Sequence, residues 1–290
     1  MNRTADPSRH RSASFRLMPH LAMRPRRAYS PVVLRIAQLW LLLVIAWLNI
    51  GNLQASELLI AAASDLSFCI EELNGVYSTL HPETKLKVSI GSSGNFFAQI
   101  KNGAPYDLFF SADMNFPREL VKSGLAEERS LTRYAVGKIV LWTVHTNLDI
   151  ARGLELVKSP AVKRVAIANP EHAPYGQAAR SALQHYDLWA AAQPKLVIGE
   201  NISQTAQFVQ TGSADIGIVA LALVLSPQLK SQGRYFEIPP ESYPPLEQGA
   251  VLTKKGAADP AAQMYIQFIV SPQARTIFDR FGFRLPNQGK

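Results

Sequence analysis

Ser89-Ile90-Gly91-Ser92-Ser93-Gly94-Asn95-Phe96-Phe97-Ala98-Gln99-Ile100 is the stretch around which the fold is read. A β-rich run, Leu86 to Ile90, enters two glycines and two serines; Phe96, Phe97 and Ile100 then take up a helical spacing that Gly103 closes. Strand, small-residue turn and helix start together form the local geometry of an anion site. The first N–H groups of a helix lack internal partners, and the dipole there favours negative charge. Glycine admits a ligand close to the backbone, and a serine hydroxyl adds a neutral donor. The same residues also read as an ordinary Ser/Gly loop with Ser93 as N-cap. Recurrence favours the site, because three other segments repeat the order.

One of these precedes the stretch. Glu57 to Ala63 is a strand ending in alanines, Ser64 sits at the turn, and Leu66, Ile70, Leu73, Tyr77 and Leu80 keep helical spacing. Two follow it. Val165 to Ala168 runs through Asn169-Pro170 and Ala173-Pro174-Tyr175-Gly176 into an alanine-rich helix reaching Tyr186. Leu196 to Ile202 leads to a helix over Thr205 to Gln210, stopped by Gly212. Further buried strands are expected at Leu108 to Ser111, Lys138 to Val144 and Asp215 to Val219.

Strands alternating with helices predict an α/β fold with mostly parallel, helix-flanked sheets. Ligands on such sheets bind beyond the carboxyl ends of the strands, where these turns lie. Two units precede a strand expected over Tyr134 to Val144 and two follow it, so two lobes facing across a cleft would each contribute two helix N-termini. Pro239, Pro240, Pro244 and Pro245 mark a stiff return, before a strand over Gly249 to Thr253 and helices over Ala261 to Val270 and Pro272 to Phe281. The expected division is 1–55 as a leader, 56–137 with 238–290 as lobe I, and 138–237 as lobe II.

The leader carries eight arginines, no lysine and one acid, Asp6, which accounts for +7 of the formal net charge of +8. The basic balance is thus a property of the leader and does not indicate a nucleic-acid partner. An apolar core, Leu39 to Leu48, is short for a membrane span, and small and polar residues follow it to Ala55. The segment reads as a signal peptide cleaved near Ala55, with Met23 as an alternative start and an uncleaved anchor as the other reading. Cys69 is the single cysteine, which excludes an intrachain disulfide. It falls in an apolar helix pattern and is expected in the core.

The donors at the four turns are neutral: hydroxyls of Ser64 and Ser93, and backbone N–H groups near Tyr175 and Ile202. A fully ionised, acceptor-only dianion suits such a set. Monohydrogen phosphate would require an acceptor for its proton, and Gly-Ser-Ser-Gly-Asn lacks the Gly-Lys-Ser/Thr ending of a nucleotide loop.

Ala61-Ala62-Ala63-Ser64, Gly91-Ser92-Ser93-Gly94, the run Gly103 to Asp113, the run Asn169 to Gly176, and Ser271-Pro272-Gln273-Ala274 with Phe278 to Phe283 resemble, in order, the periplasmic molybdate-binding proteins of ABC importers, the ModA family. The resemblance covers residues 57–284. It implies the two-lobed type II periplasmic binding protein fold and no enzymatic activity. It further implies capture of molybdate or tungstate, delivery to a membrane permease, periplasmic location, a monomer and no cofactor. Carried over by position, Ser64 and Ser93 are the hydroxyl donors, with Tyr175 and Ile202 the backbone donors. Two departures stand out: Ala220 lies where some members have a tyrosine donor, and Tyr175 has a phenol where others have a small residue. Asp65, beside Ser64, would repel a dianion unless it points away as a first-turn helix acid.

Asp107 and Asp113 suit turn and capping roles better than catalysis. His81, His145, His172 and His185 show no metal-ligand spacing, and Glu171-His172 reads as solvated surface or as cleft rim. A secreted serine hydrolase would need Ser64 or Ser93 within Gly-x-Ser-x-Gly, which neither has. A ligand-sensing regulator domain conflicts with the leader. Sulfate or another small oxyanion is the nearer alternative ligand.

Overall fold

The computed structural model describes residues 56–286 together with Arg35 and Trp40; the expected leader, with its apolar core and cleavage point, otherwise lies outside the described residues. Along the chain come β1 (Ser56–Ala63), α1 (Ser67–Leu80), β2 (Thr84–Gly91), α2 (Ser93–Lys101), β3 (Leu108–Ser111), α3 (Asn115–Lys122) and β4 (Thr132–Gly137). Next are β5 (Ile139–Thr143), β6 (Val165–Ala168), α4 (Pro174–His185), β7 (Leu196–Gly199), α5 (Ile202–Gln210), β8 (Ile216–Ala220) and β9 (Arg234–Glu237). The chain returns through β10 (Leu246–Leu252) to α6 (Pro260–Phe268) and α7 (Pro272–Arg280).

These strands form two five-stranded sheets of matching layout, β2-β1-β3-β10-β4 and β7-β6-β8-β5-β9. In each, four strands run the same way and the one next to an edge, β10 or β5, is reversed. This is the two-lobed α/β arrangement expected. Register then sets the site. Ala63 pairs with Gly91 and Ala168 with Gly199, so in each sheet two neighbouring strands end level and deliver their turns to the same edge.

The first sheet is covered on both faces. Leu58, Ile60, Tyr77, Phe110, Tyr265 and Phe278 pack it against α1, α6 and α7, while Phe96, Ile100, Phe109 and Leu120 pack the other face against α2 and α3. Each such side chain stabilises the fold by about 1.5–3 kcal/mol. Tyr77 meets Tyr265 edge-on at 4.8 Å, and Tyr134 meets Phe278 at 5.2 Å, so the C-terminal helices are tied to the N-terminal sheet. The second sheet carries one continuous core that includes Trp142, Ile167, Leu183, Val209 and Ile218.

The strand expected over Tyr134 to Val144 is two strands in two different sheets, with Lys138 between them. The apolar pattern runs through both, which hides the crossing. β9 leaves little signal in the sequence, because Arg-Tyr-Phe-Glu is short and largely exposed, as an edge strand can be. Leu80 was expected in the buried stripe of α1, yet at the helix end it is 56% exposed. Gly103 and Gly212 do follow α2 and α5 with φ of +87° and +72°, a conformation glycine adopts without strain.

Candidate anion site between the sheets

Ser64 is the first residue beyond β1, in a short 3₁₀ turn, and is buried. Its Oγ accepts from Ser203 N–H at 3.3 Å, which leaves its own proton free to donate. Ser93 is the first residue of α2. The N-cap is Ser92, not Ser93 as the ordinary loop reading had it, and Ser92 Oγ accepts from Asn95 N–H at 3.4 Å. Ser93 Oγ accepts from Ala112 N–H at 2.9 Å, so this hydroxyl too has a proton to give.

The second sheet supplies backbone donors. Pro174 occupies N1 of α4, where its missing N–H costs nothing, and Tyr175 follows at N2. Ile202 opens α5 behind Asn201, whose side chain caps Gln204 N–H at 3.0 Å. Among the described residues, neither Tyr175 N–H nor Ile202 N–H has an acceptor.

Ser64, Ser93, Tyr175 and Ile202 all line one small cavity between the sheets. No lysine or arginine lines it. Ala220 is buried at the end of β8 and is not part of the lining.

Direct bonds join the two sheets around this cavity. Ser203 Oγ donates to Ser64 O at 2.7 Å and lies 2.8 Å from Ser67 Oγ. Gly94 N–H donates to His172 O at 2.9 Å, and Ser92 Oγ lies 2.9 Å from His172 Nδ1. Asn95 Nδ2 donates to Glu200 Oε1. His172 is therefore a rim contact between sheets rather than solvated surface, whereas Glu171 is exposed and paired with Arg180.

Asp65 is fully enclosed rather than surface-facing. Its Oδ2 accepts from Tyr175 Oη at 3.1 Å and from Gln248 Nε2 at 2.5 Å. Gln248 is itself oriented by Tyr134 Oη, which donates to its Oε1 at 2.7 Å. Burial raises the Asp65 carboxyl to about 7, against the lowering effect of the Gln248 and Tyr175 bonds and of its own backbone N–H. The Tyr175 phenol is pushed well above its ordinary range by burial first and by the Asp65 charge second. Tyr175 thus presents its backbone to the cavity lining while its phenol reaches the acid beneath.

Asp107 and Asp113 do structural work. Asp107 Oδ2 accepts from Leu59 N–H at 2.8 Å and Asp107 Oδ1 pairs with Lys255 at 2.8 Å. Asp113 Oδ1 accepts from Asn115 and Phe116 N–H at 2.9 and 3.1 Å at the start of α3. Cys69 is buried in the first core. The sequence offers His172 as surface or cleft rim and gives Ser203, Gln248 and Tyr134 no site role. Gln248 alone left a sequence signal, as the one amide in a buried apolar strand.

The bacterial extracellular solute-binding protein family matches residues 58–284. The chain is 36% identical to the molybdate-binding protein ModA of Rhodobacter capsulatus over 79% of its own length and 88% of the relative's. Identity to ModA of Azotobacter vinelandii is 37%, over 80% of this chain and 91% of the relative. The solved Azotobacter vinelandii periplasmic molybdate-binding protein superposes with a TM-score of 0.75 at 34% identity, covering 79% of this chain and all of that one. The chain belongs to the bacterial extracellular solute-binding proteins and, within them, to the ModA family.

Proposed function

We propose that this protein captures molybdate, and tungstate with it, outside the cytoplasmic membrane and hands it to the permease of an ABC importer. It is a binding protein and not an enzyme. The observation that carries the reading is the convergence of four neutral donors from two sheets on one small cavity without a lysine or arginine. Ser64 and Ser93 donate through hydroxyls, Tyr175 and Ile202 through N–H groups at helix starts, and helix dipoles rather than a counter-ion offset the ligand's charge. The names of the relatives supply molybdate as the anion. We take residues 56–137 with 238–290 as one lobe and 138–237 as the other, a division supported by sheet membership. The chain acts as a monomer, exported to the periplasm by the signal peptide read at residues 1–55.

Calorimetric titration of the exported form with molybdate, tungstate, sulfate and phosphate tests this. Saturable one-to-one binding of molybdate and tungstate, with phosphate silent, is expected. Sulfate binding tighter than molybdate would replace the proposed ligand, and silence with all four would overturn the proposal.

A further inference from the structure

One group at the cavity has no place in a set of neutral donors. Asp65 directly follows Ser64, lines the same cavity, and is 1% exposed. Among the described residues no lysine, arginine or histidine pairs with it. The titratable groups around it are Tyr175 of α4, Tyr134 of β4 and Cys69 of α1, all of which burial holds in their neutral forms. An ionised carboxylate here would have no counter-charge and would sit beside a captured dianion. Either condition alone is costly.

The hydrogen-bond pattern locates the proton that relieves this. Tyr134 Oη donates to Gln248 Oε1, which turns Gln248 Nε2 toward Asp65. Gln248 Nε2 also donates to Tyr175 Oη at 3.1 Å, so the Tyr175 proton is directed at Asp65. Both bonds end on Oδ2, which is saturated as an acceptor. Oδ1 is buried and has no partner. A proton on this carboxyl therefore sits on Oδ1, the one unbonded side-chain atom of a residue that lines the cavity.

Building on the function proposed above, we propose that Asp65 is a further ligand of the bound oxyanion, a neutral carboxylic acid whose Oδ1–H donates to it, so that capture of the dianion is linked to one proton held at this residue. No bond to the proton is transferred: the acid keeps it and the anion accepts the hydrogen bond. The burial that raises this carboxyl makes the linkage operate near neutrality. With the sheets closed on each other, Asp65 holds the proton below about pH 7, and above that a proton must be taken up for the anion to bind. Ionised, Asp65 would instead be the one acceptor in the site and would favour an anion that carries its own proton.

Molybdate titrations of the full exported chain, in buffers of differing ionisation enthalpy, count protons taken up per anion bound. Uptake should rise from near none at about pH 5.5 toward one at about pH 8.5, with affinity falling toward tenfold per pH unit above about pH 7. Asp65→Asn, which keeps the shape and places a permanent N–H₂ donor in the site, should bind with no proton uptake and a flat pH profile. Molybdate binding by the wild type with no proton uptake at any pH overturns the proposal while leaving the function intact. So does a pH profile unchanged in Asp65→Asn, whereas binding of monohydrogen phosphate in preference to molybdate at high pH overturns both this proposal and the function. If the wild type binds molybdate at no pH, the proposed function fails and this inference with it.

Discussion

Tyr175 Oη donates to Asp65 Oδ2 at 3.1 Å, joining the first turn of α4 on one sheet to the turn that follows β1 on the other. Both groups are buried, so water does not compete for the bond, and it forms only when the sheets are in contact.

Tyr175→Phe tests that link. The ring still fills its space, but the closed arrangement loses one buried hydrogen bond to an acid. Molybdate affinity at neutral pH should fall about five- to tenfold, the equivalent of about 1 kcal/mol. An unchanged calorimetric curve would show that the bond does not stabilise the closed state.

Asp65→Asn makes a prediction about the stability of the closed arrangement, in which Tyr175 and Gln248 enclose the acid. The Asp65 carboxyl is raised from 3.8 to about 7 in the fold, so between those values the native state holds a proton that the unfolded chain has lost. Stability from this residue is therefore fully present below about pH 4 and is lost as pH rises through about 7. Asparagine has no such dependence. Thermal unfolding should find Asp65→Asn gaining on the wild type as pH rises from about 4 to about 7, by a few kcal/mol in all, then holding that lead. A difference that stays constant with pH would mean Asp65 is ionised throughout.

Much of the candidate site is legible because its elements obey local rules. Strand, small-residue turn and helix start can be read from a dozen residues, and Ser64, Ser93, Tyr175 and Ile202 each sit within such a unit. What stayed hidden depends on residues far apart in the chain. Gln248 reaches Asp65 across 183 positions, and His172 meets Ser92 across 80. The crossing at Lys138 was missed for a related reason: alternation of apolar residues records burial but not which sheet does the burying. The orientation of Asp65 followed the same logic, since nothing adjacent to it announces that Tyr175 and Gln248 close over it.

Ser64→Ala and Ser93→Ala should separate binding from folding. Either change removes a hydroxyl that can donate to a buried dianion, a bond worth about 1.5–3 kcal/mol, so affinity should fall about ten- to a hundredfold. Ser93→Ala also leaves Ala112 N–H without its acceptor in a buried position, which costs about 1–3 kcal/mol and should lower Tm. Ser64→Ala releases only the longer bond from Ser203 N–H, so its melting temperature should move less. Two variants with wild-type affinity would remove both serines from the site.

Gly137→Ala probes the acid network from behind. A methyl at this position would lie 2.2 Å from Tyr175 Oη and 2.9 Å from Gln248 Nε2, both held in place by the bonds to Asp65. There is no flexible side chain to yield, so the phenol must leave its partner. Overpacking of this kind costs about 1–3 kcal/mol, and the variant should lose both stability and molybdate affinity. Combined with Tyr175→Phe the affinity loss should be less than additive, because the same bond is already gone.

Gly94→Ala should move stability and binding in opposite directions. Gly94 lies in the first turn of α2, where alanine is a better helix former by up to about 1 kcal/mol. Its N–H donates to His172 O at 2.9 Å across the sheets, and a methyl there would stand 2.6 Å from the same oxygen and 2.8 Å from His172 Cβ. Those atoms belong to the turn before α4, so the clash exists only while the two sheets are closed on each other. Without ligand the variant should melt at or above the wild-type temperature. With ligand it must either open that contact or go without donors from one side, so its affinity should drop well over tenfold. Because the ligand's preference for the closed state is what shifts the population, solution scattering should show the wild type contracting with saturating molybdate and Gly94→Ala keeping one radius of gyration throughout. A Gly94→Ala protein that contracts and binds like the wild type would mean that capture does not require the His172 turn to meet α2.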